Sequence, residues 1–511
     1  MNVITILCDT LRRDHCGPYH HGAPVSALGD PLQPDWVVPT PNIDRLAAQG
    51  TVFDNAWCGS HPCVPARRDL YTGRYDFPFR GWAPLEDDDL DLPTSISGPP
   101  NTSLQRPDVR ISQLVTDHFH LWERGAGNYH MGYSGFEFIR GMEADAWKTE
   151  PVSIDARWNR YANSKLERHF HNLAVLRAGQ DEPAEETYFP HRTFSTAADW
   201  IDRNHTHEDF YLHIDSFPPH EPWDPPERLV KRFDPRGYDV AEVIASAPYA
   251  HMIDHPELTP DAIRHVQAVY AASVVHVDEC LGMLWAALDR HDLWENTLVV
   301  LTTDHGTFNG SRQRTGKLQT HLFDPISHIP FIMAHPTQAH GERRSQLVQL
   351  VDLYPTTLSA LSRPVPPDRH GVDLLPVLAS DEYPTREFAL NGMFGESMSI
   401  TDGAWSLHIP PVEENRPLFW YSYHNAMFIP YDLGAVELTE EGVPRRPVTR
   451  TAMTRPDEVW LSDLASDPHE MINCAGSHPD QVSLLAGALA AELVRLGAPA
   501  EQLERLGLSR P

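Results

Sequence analysis

The sequence predicts an α/β fold: a doubly wound, mostly parallel central sheet flanked by helices, then a smaller C-terminal subdomain with an antiparallel sheet and a closing helix. Three observations predict it. Val3–Cys8 and Leu298–Thr303 are short apolar runs rich in β-branched residues, without the polar alternation of a half-exposed strand. Helical patterns lie between them, and strands alternating with helices imply a parallel sheet. Beyond about Tyr383 the pattern changes to aromatic and polar runs. The expected division is therefore 1–383 and 384–511.

Taken in order, the first strand is Val3–Cys8, ending at Asp9-Thr10. Thr40-Pro41 marks a helix start, with Pro in the first turn, and the pattern stops at Gly50. A longer helix runs from about Ala262 to Arg290, with Val269, Ala272, Val275, Leu281 and Leu284 at helical spacing. Leu298–Thr303 is a second buried strand, ending at Asp304-His305-Gly306. Leu347–Pro355 reads as the start of a further helical unit. Trp405–Ile409 and Leu418–Tyr421 read as antiparallel strands, and Val482–Leu496 as the closing helix. There is no internal repeat and no low-complexity tract.

With 511 residues, 41% hydrophobic and 22% charged, the chain has the composition of a globular protein with a large core. Its formal net charge of -30 argues against a nucleic-acid partner, because a polyanion would be repelled. The start Met1–Leu7 has neither a basic region nor a long apolar stretch, so it does not read as a signal peptide. No apolar stretch reads as long enough to span a membrane. The six cysteines have no compact disulfide or zinc spacing, and a reducing cytoplasmic setting is the simplest expectation. Oligomeric state is left open, a homo-oligomer included.

In doubly wound sheets, ligands sit beyond the carboxyl ends of the strands. Asp9 and Asp304 both occupy that position. A lone strand-end Asp is usually a helix cap or turn residue. Two of them, with His305 beside one, can converge on a divalent cation. Cys63 stands just before a helix-like stretch, where a helix dipole would favour an anionic group. A single free cysteine is otherwise a small buried hydrophobe.

Cys63-Val64-Pro65-Ala66-Arg67, followed by Leu70, Thr72-Gly73 and Arg74, resembles the signature C-x-P-x-R-x-x-L-x-T-G-R of the formylglycine-dependent sulfatases of the alkaline phosphatase superfamily. The resemblance extends to Thr40–Leu46 near the start and to Trp460–Pro468 near the end, in the family's order. It implies a sulfatase. Cys63 would be oxidised to formylglycine by a formylglycine-generating enzyme, and the aldehyde hydrate would attack the sulfur of a small sulfate ester. Arg67 would fix the modified residue. Asp9, Asp304, His305 and residue 63 would hold one divalent metal. The family often has a second acid where this chain has Thr10, and Asn where it has His305. That leaves Ca²⁺ or Mn²⁺ open, with the nitrogen favouring the transition metal.

The resemblance implies further roles. Lys317, in Thr315-Gly316-Lys317, would bind a non-bridging sulfate oxygen. Lysine is otherwise most often a solvated surface residue. His220, in Ser216-Phe217-Pro218-Pro219-His220, would help protonate the leaving group. It is equally compatible with tying down its own loop. His213 and Asp215, just before it, are weaker candidates and read as structural. Where most sulfatases have Gly-Lys-Trp-His, this chain has Thr116-Asp117-His118-Phe119-His120. Asp117, His118 or His120 is expected to line the substrate pocket. Gly127–His130 and Gly135–Glu137 suggest either a substrate loop or an ordered glycine-rich loop. Two other functions fit the same residues: a phosphonate monoester or phosphodiester hydrolase, and a binding protein whose Cys63 is unmodified.

Overall fold

A computed structural model describes residues 1–511 except 100, 101, 105, 107, 108, 124–127, 155–163, 241, 242, 319, 339, 427–430 and 451–457. The chain opens with β1 (Asn2–Cys8), buried throughout. Then come α1 (Pro41–Ala48), β2 (Thr51–Trp57), the short β3 (Ser60–His61) and α2 (Cys63–Thr72). They are followed by β4 (Ser112–Thr116), β5 (Gly135–Phe138), α3 (Phe189–Asn204) and β6 (Tyr211–Ser216). The half closes with α4 (Pro260–Arg290), β7 (Thr297–Thr302), β8 (Phe331–Ala334) and β9 (Glu342–Gln349).

Eight of these strands form one mixed sheet in the order β9-β2-β8-β7-β1-β6-β4-β5. β1 lies parallel to both β6 and β7, and β4 to β5 and β6. β8 is antiparallel to both its neighbours. Both faces are covered. Ile4, Ile6, Val299 and Leu301 pack on the side of α4, whereas Val3, Leu7, Leu298 and Val300 pack on the side of α2. A strand buried on both faces needs apolar residues at every position, which is why these runs do not alternate.

α4 is the core helix. Its N-cap Thr259 accepts from the Ala262 amide, and Pro260 begins the first turn. It corrects one expectation, since it is long and apolar enough to cross a membrane by length and composition; its most apolar window is 78% buried inside the fold. The apolar length arises because α4 is enclosed between the sheet and other helices.

A second sheet has the order β13-β12-β11-β10-β3, where β10 is Ala389–Met393, β11 Met398–Thr401, β12 Trp405–Ile409 and β13 Trp460–Asp463. It is antiparallel except that β3 runs parallel to β10. Ser60–His61 therefore joins the small sheet to the turn that precedes Cys63. α5 (Pro479–Arg495) packs Leu485, Leu489 and Leu493 against this sheet.

Three local expectations change. Leu347–Gln349 belongs to the end of β9, and the helix begins only at Leu353 after a 3-10 turn. Of Leu418–Tyr421, only Phe419–Trp420 is strand, paired with residues 446 and 447 in a separate small sheet. Gly135–Glu137 is not a loop but part of the edge strand β5; Gly127 lies outside the described residues.

Candidate active site

Strand register brings the site together. Leu7 pairs with Asp215 and with Thr302, so the ends of β1, β6 and β7 lie side by side. Asp9, Asp215 and Asp304 emerge from that common edge. Cys63 is the first residue of α2, so its side chain sits at the helix's positive end. Asp9, Cys63, Asp304 and His305 are buried, and one donor atom from each lies within 4.8 Å of all the others.

Local geometry fixes these groups. Thr10 has a positive φ of 64°, a strained conformation for a β-branched residue. Its amide donates to Asp304 Oδ1 at 3.0 Å and its hydroxyl to Asp9 Oδ1 at 2.5 Å. Thr10 therefore orients two carboxylates. His305 Nδ1 is 3.0 Å from the Gly306 carbonyl, which leaves Nε2 as the lone-pair nitrogen. That nitrogen lies 3.4 Å from Cys63 Sγ. Gly306 is glycine for a steric reason: a Cβ there would stand 2.1 Å from the Pro325 carbonyl oxygen.

Arg67 is fully buried among three acids. Its Nε and Nη2 form a two-pronged contact to Asp215 at 2.7 Å each, Nη1 reaches Asp304 Oδ2 at 2.7 Å, and Nη2 lies 3.1 Å from Asp9 Oδ2. Nη1 also donates to the Cys63 carbonyl at 3.1 Å, which ties the guanidinium to the start of α2. Asp215, a weaker candidate from the sequence and expected to be structural, thus stands among the acids around Arg67.

Lys317 Nζ lies 3.1 Å from Cys63 Sγ and 2.7 Å from His220 Nε2. Its carbonyl accepts from His61 Nε2 at 2.9 Å. His61, whose ring is 4.5 Å from that of His305, carries no sequence signal beyond its nearness to Cys63. His220 Nδ1 contacts the Glu221 carbonyl, so its Nε2 is an acceptor toward Lys317.

The 116–120 segment divides. His118 is fully buried, neither ring nitrogen has a hydrogen-bond partner, and Nε2 is 3.6 Å from Asp9 Oδ2. It stacks on Phe217. His120 instead contacts Glu123 through Nδ1 and Glu143 at 2.7 Å through Nε2. Asp117 accepts the Phe217 amide at 2.6 Å and so ties the end of β4 to the His220 loop. Of the three, His118 alone joins the Asp9 cluster. His213, also near, is held by the Tyr133 hydroxyl at 2.7 Å.

Charge follows this geometry. Burial, reinforced by Asp304, pushes the Asp9 carboxyl up to about 8. Burial opposes ionisation of Asp304 as well, but His305, Arg67 and Lys317 outweigh it and hold that carboxyl below its usual range. The Arg67 contact persists when His305 is neutral. Burial and then Asp9 push the Cys63 thiol well up. Burial lowers His220 to about 4 and His118 well below its ordinary value.

Residues 1–362 match the family described as Sulfatase. Among characterised relatives, arylsulfatase K of Xenopus laevis is 24% identical over 469 residues, covering 88% of this chain and 77% of its own. The multifunctional alkaline phosphatase superfamily protein PehA of Trinickia caryophylli is 24% identical over 490 residues, covering 86% and 85%. The crystal structure of the phosphonate monoester hydrolase of Agrobacterium radiobacter superposes with a TM-score of 0.60 at 20% identity, covering 97% of this chain and 95% of that one. A structure solved with its substrate D-glucosamine-2-N,6-O-disulfate gives a TM-score of 0.64 at 15% identity, with 98% of each chain covered. Matched over most of its length and with the signature cysteine at the meeting point of three strand ends, the chain belongs to the sulfatase family of sulfuric ester hydrolases.

Proposed function

We propose that the chain cleaves sulfate esters through an aldehyde hydrate formed from Cys63, beside one divalent cation. The observation that carries this is the placement of Cys63 Sγ within 3.1 Å of Lys317 Nζ and 3.4 Å of His305 Nε2, at the edge of the Asp9–Asp304 pair. Burial and Asp9 push the thiol itself well up, which does not favour a cysteine thiolate as the nucleophile. A carbonyl hydrate does not depend on thiol ionisation.

The donor set fits a metal. Asp9 Oδ2 accepts no hydrogen bond although buried, and His305 turns its Nε2 lone pair toward Cys63. Asp9, Asp215 and Asp304 surround Arg67, with Lys317 near Asp9, so a divalent cation would add positive charge toward an anionic ester. Asp9, Asp304, His305 and residue 63 would hold it. Bound there, it would polarise the ester and lower the pKa of a coordinated hydroxyl. Oxygen donors suit Ca²⁺ and Mn²⁺, and the imidazole favours Mn²⁺.

Lys317 is placed to pair with a non-bridging oxygen, and the Lys317–His220 pair to pass an ammonium proton to the departing alcohol. Maturation of Cys63 calls for a formylglycine-generating enzyme in the same compartment. The six unpaired cysteines support a reducing, cytoplasmic one.

Phosphonate monoester hydrolysis is the second reading. It is favoured by Thr10, a hydroxyl where a second acid would strengthen the cation site. The test is intact-mass analysis of Cys63 with a panel of sulfate, phosphonate and phosphodiester substrates. Aldehyde at residue 63, sulfate-ester turnover and its loss in Cys63→Ala are expected. An unmodified thiol with full turnover would overturn the proposal.

A further inference from the structure

Two loops deliver the groups that meet beside Cys63, one carrying His220 and one carrying Lys317. One half-buried side chain, Tyr249, touches both. Its hydroxyl donates to Glu221 Oε1. The other Glu221 oxygen is 3.3 Å from His220 Nδ1, and the Glu221 carbonyl accepts from the same nitrogen. The Tyr249 ring meanwhile lies against Gly316, where an added Cβ would come within 2.2 Å of Cδ1. Gly316 has φ +76°, and its carbonyl accepts from the Phe308 amide at 2.9 Å and the Thr307 hydroxyl at 3.1 Å. The backbone reinforces this clamp, since Ala250 and His251 pair with Thr315 and Arg314 in a two-stranded ribbon.

We propose that Tyr249 is a positioning residue that aligns the His220–Lys317 pair for proton delivery to the leaving alcohol. This rests on the sulfate-ester reading above. The hydroxyl holds Glu221 where it fixes His220 with Nδ1 toward Glu221 and Nε2 toward Lys317. The ring fixes the backbone from which Lys317 reaches the same point. Burial and the adjacent Glu221 keep the phenol protonated, so it remains a donor.

The test separates ring from hydroxyl with Tyr249→Phe and Tyr249→Ala, assayed on sulfate esters of alkyl alcohols and of acidic phenols. An acidic phenol leaves as a stable anion and needs little protonation. Loss of one aligning hydrogen bond should lower kcat by about 10-fold for alkyl esters in Tyr249→Phe, with KM and aryl-ester turnover within about 2-fold of the parent. Tyr249→Ala, which also removes the ring, should lower alkyl-ester kcat by about 10²-fold. Equal losses on alkyl and aryl esters, or an unchanged alkyl rate in Tyr249→Phe, would overturn the proposal. If Tyr249→Ala fails to fold, the phenylalanine variant, which keeps the packing, carries the test. A parent protein that cleaves phosphonate esters and no sulfate ester would instead overturn the sulfate reading. The same leaving-group series on phosphonates would then decide the role of Tyr249.

Discussion

Lys317 Nζ lies 2.7 Å from His220 Nε2, with the ammonium as donor and the imidazole as acceptor. The direction follows from the other ring nitrogen, which faces the Glu221 carbonyl. Burial lowers His220 to about 4, so near neutral pH it is uncharged and the proton resides on Lys317. The pair is therefore one unit rather than two independent groups. His220 Nε2 bears no proton in this state, so a leaving alkoxide would draw its proton from Lys317, whose ammonium His220 orients.

His220→Ala should accordingly harm esters of poor leaving groups most. General acid catalysis is worth about 10²–10⁴-fold, and activated aryl esters need little of it. The measurement is kcat/KM across a series of leaving-group acidity. A slope unchanged from the parent would show that His220 does not assist protonation of the leaving group.

Arg67 offers a stability test. It is the common partner of Asp9, Asp215 and Asp304, all fully buried. Removing one partner of a buried ionic cluster strands the remaining charges, which costs about 3–5 kcal/mol. Arg67→Ala should lower the free energy of unfolding, measured by urea titration, by that amount. A double variant that also replaces Asp215 with Asn should recover part of it. No recovery would show that the loss comes from packing alone.

The central strands and α4 were legible because burial on both faces leaves a continuous apolar run. Asp9, Asp304 and His305 were legible for a related reason: a strand's carboxyl end is where a doubly wound sheet opens. Cys63 and Arg67 stood in a spacing specific enough to carry a family resemblance. The pairing of β3 with β10 was not legible, because two residues leave no periodic signature. Nor was the split between His118 and His120. It depends on Glu143, which contacts His120 across a chain separation that no local pattern reports. The expectation of no membrane-length apolar stretch fails for α4 by length and composition alone, a test that a buried core helix also passes.

The Asp324–His469 pair makes a pH test. His469 Nδ1 is 2.6 Å from Asp324 Oδ2, beside Glu470, which accepts the Asp324 amide at 2.5 Å and contacts His408 at 2.7 Å. Burial opposes the charge on His469, but Asp324 outweighs it and raises the group to about 9. A folded value above the unfolded one means that the native state binds the extra proton. The stabilisation is fully present below the unfolded value of about 6.5 and is lost as pH rises through about 9. Thermal unfolding of the parent should lose about 1–3 kcal/mol more between pH 6.5 and 9.5 than that of His469→Gln. Parallel pH profiles would remove the ion pair from the account.

The two histidines flanking Phe119 should fail in opposite ways. His120 is held between Glu123 and Glu143, and those carboxylates raise its pKa against the effect of burial. His120→Ala removes the shared partner of two acids and should cost about 2–4 kcal/mol of stability. His118 has no hydrogen-bond partner on either nitrogen and stands 3.6 Å from Asp9 Oδ2, itself without a hydrogen bond. An imidazole buried without partners is tolerated where a ligand will supply them. His118→Ala should therefore lower kcat/KM by about 10²-fold, the scale of one donor lost from a preorganised anion site, with the smaller loss of stability. Unfolding midpoints and kcat/KM measured on both variants decide the matter. If His120→Ala shows the larger rate loss and His118→Ala the larger stability loss, the assignments must be exchanged.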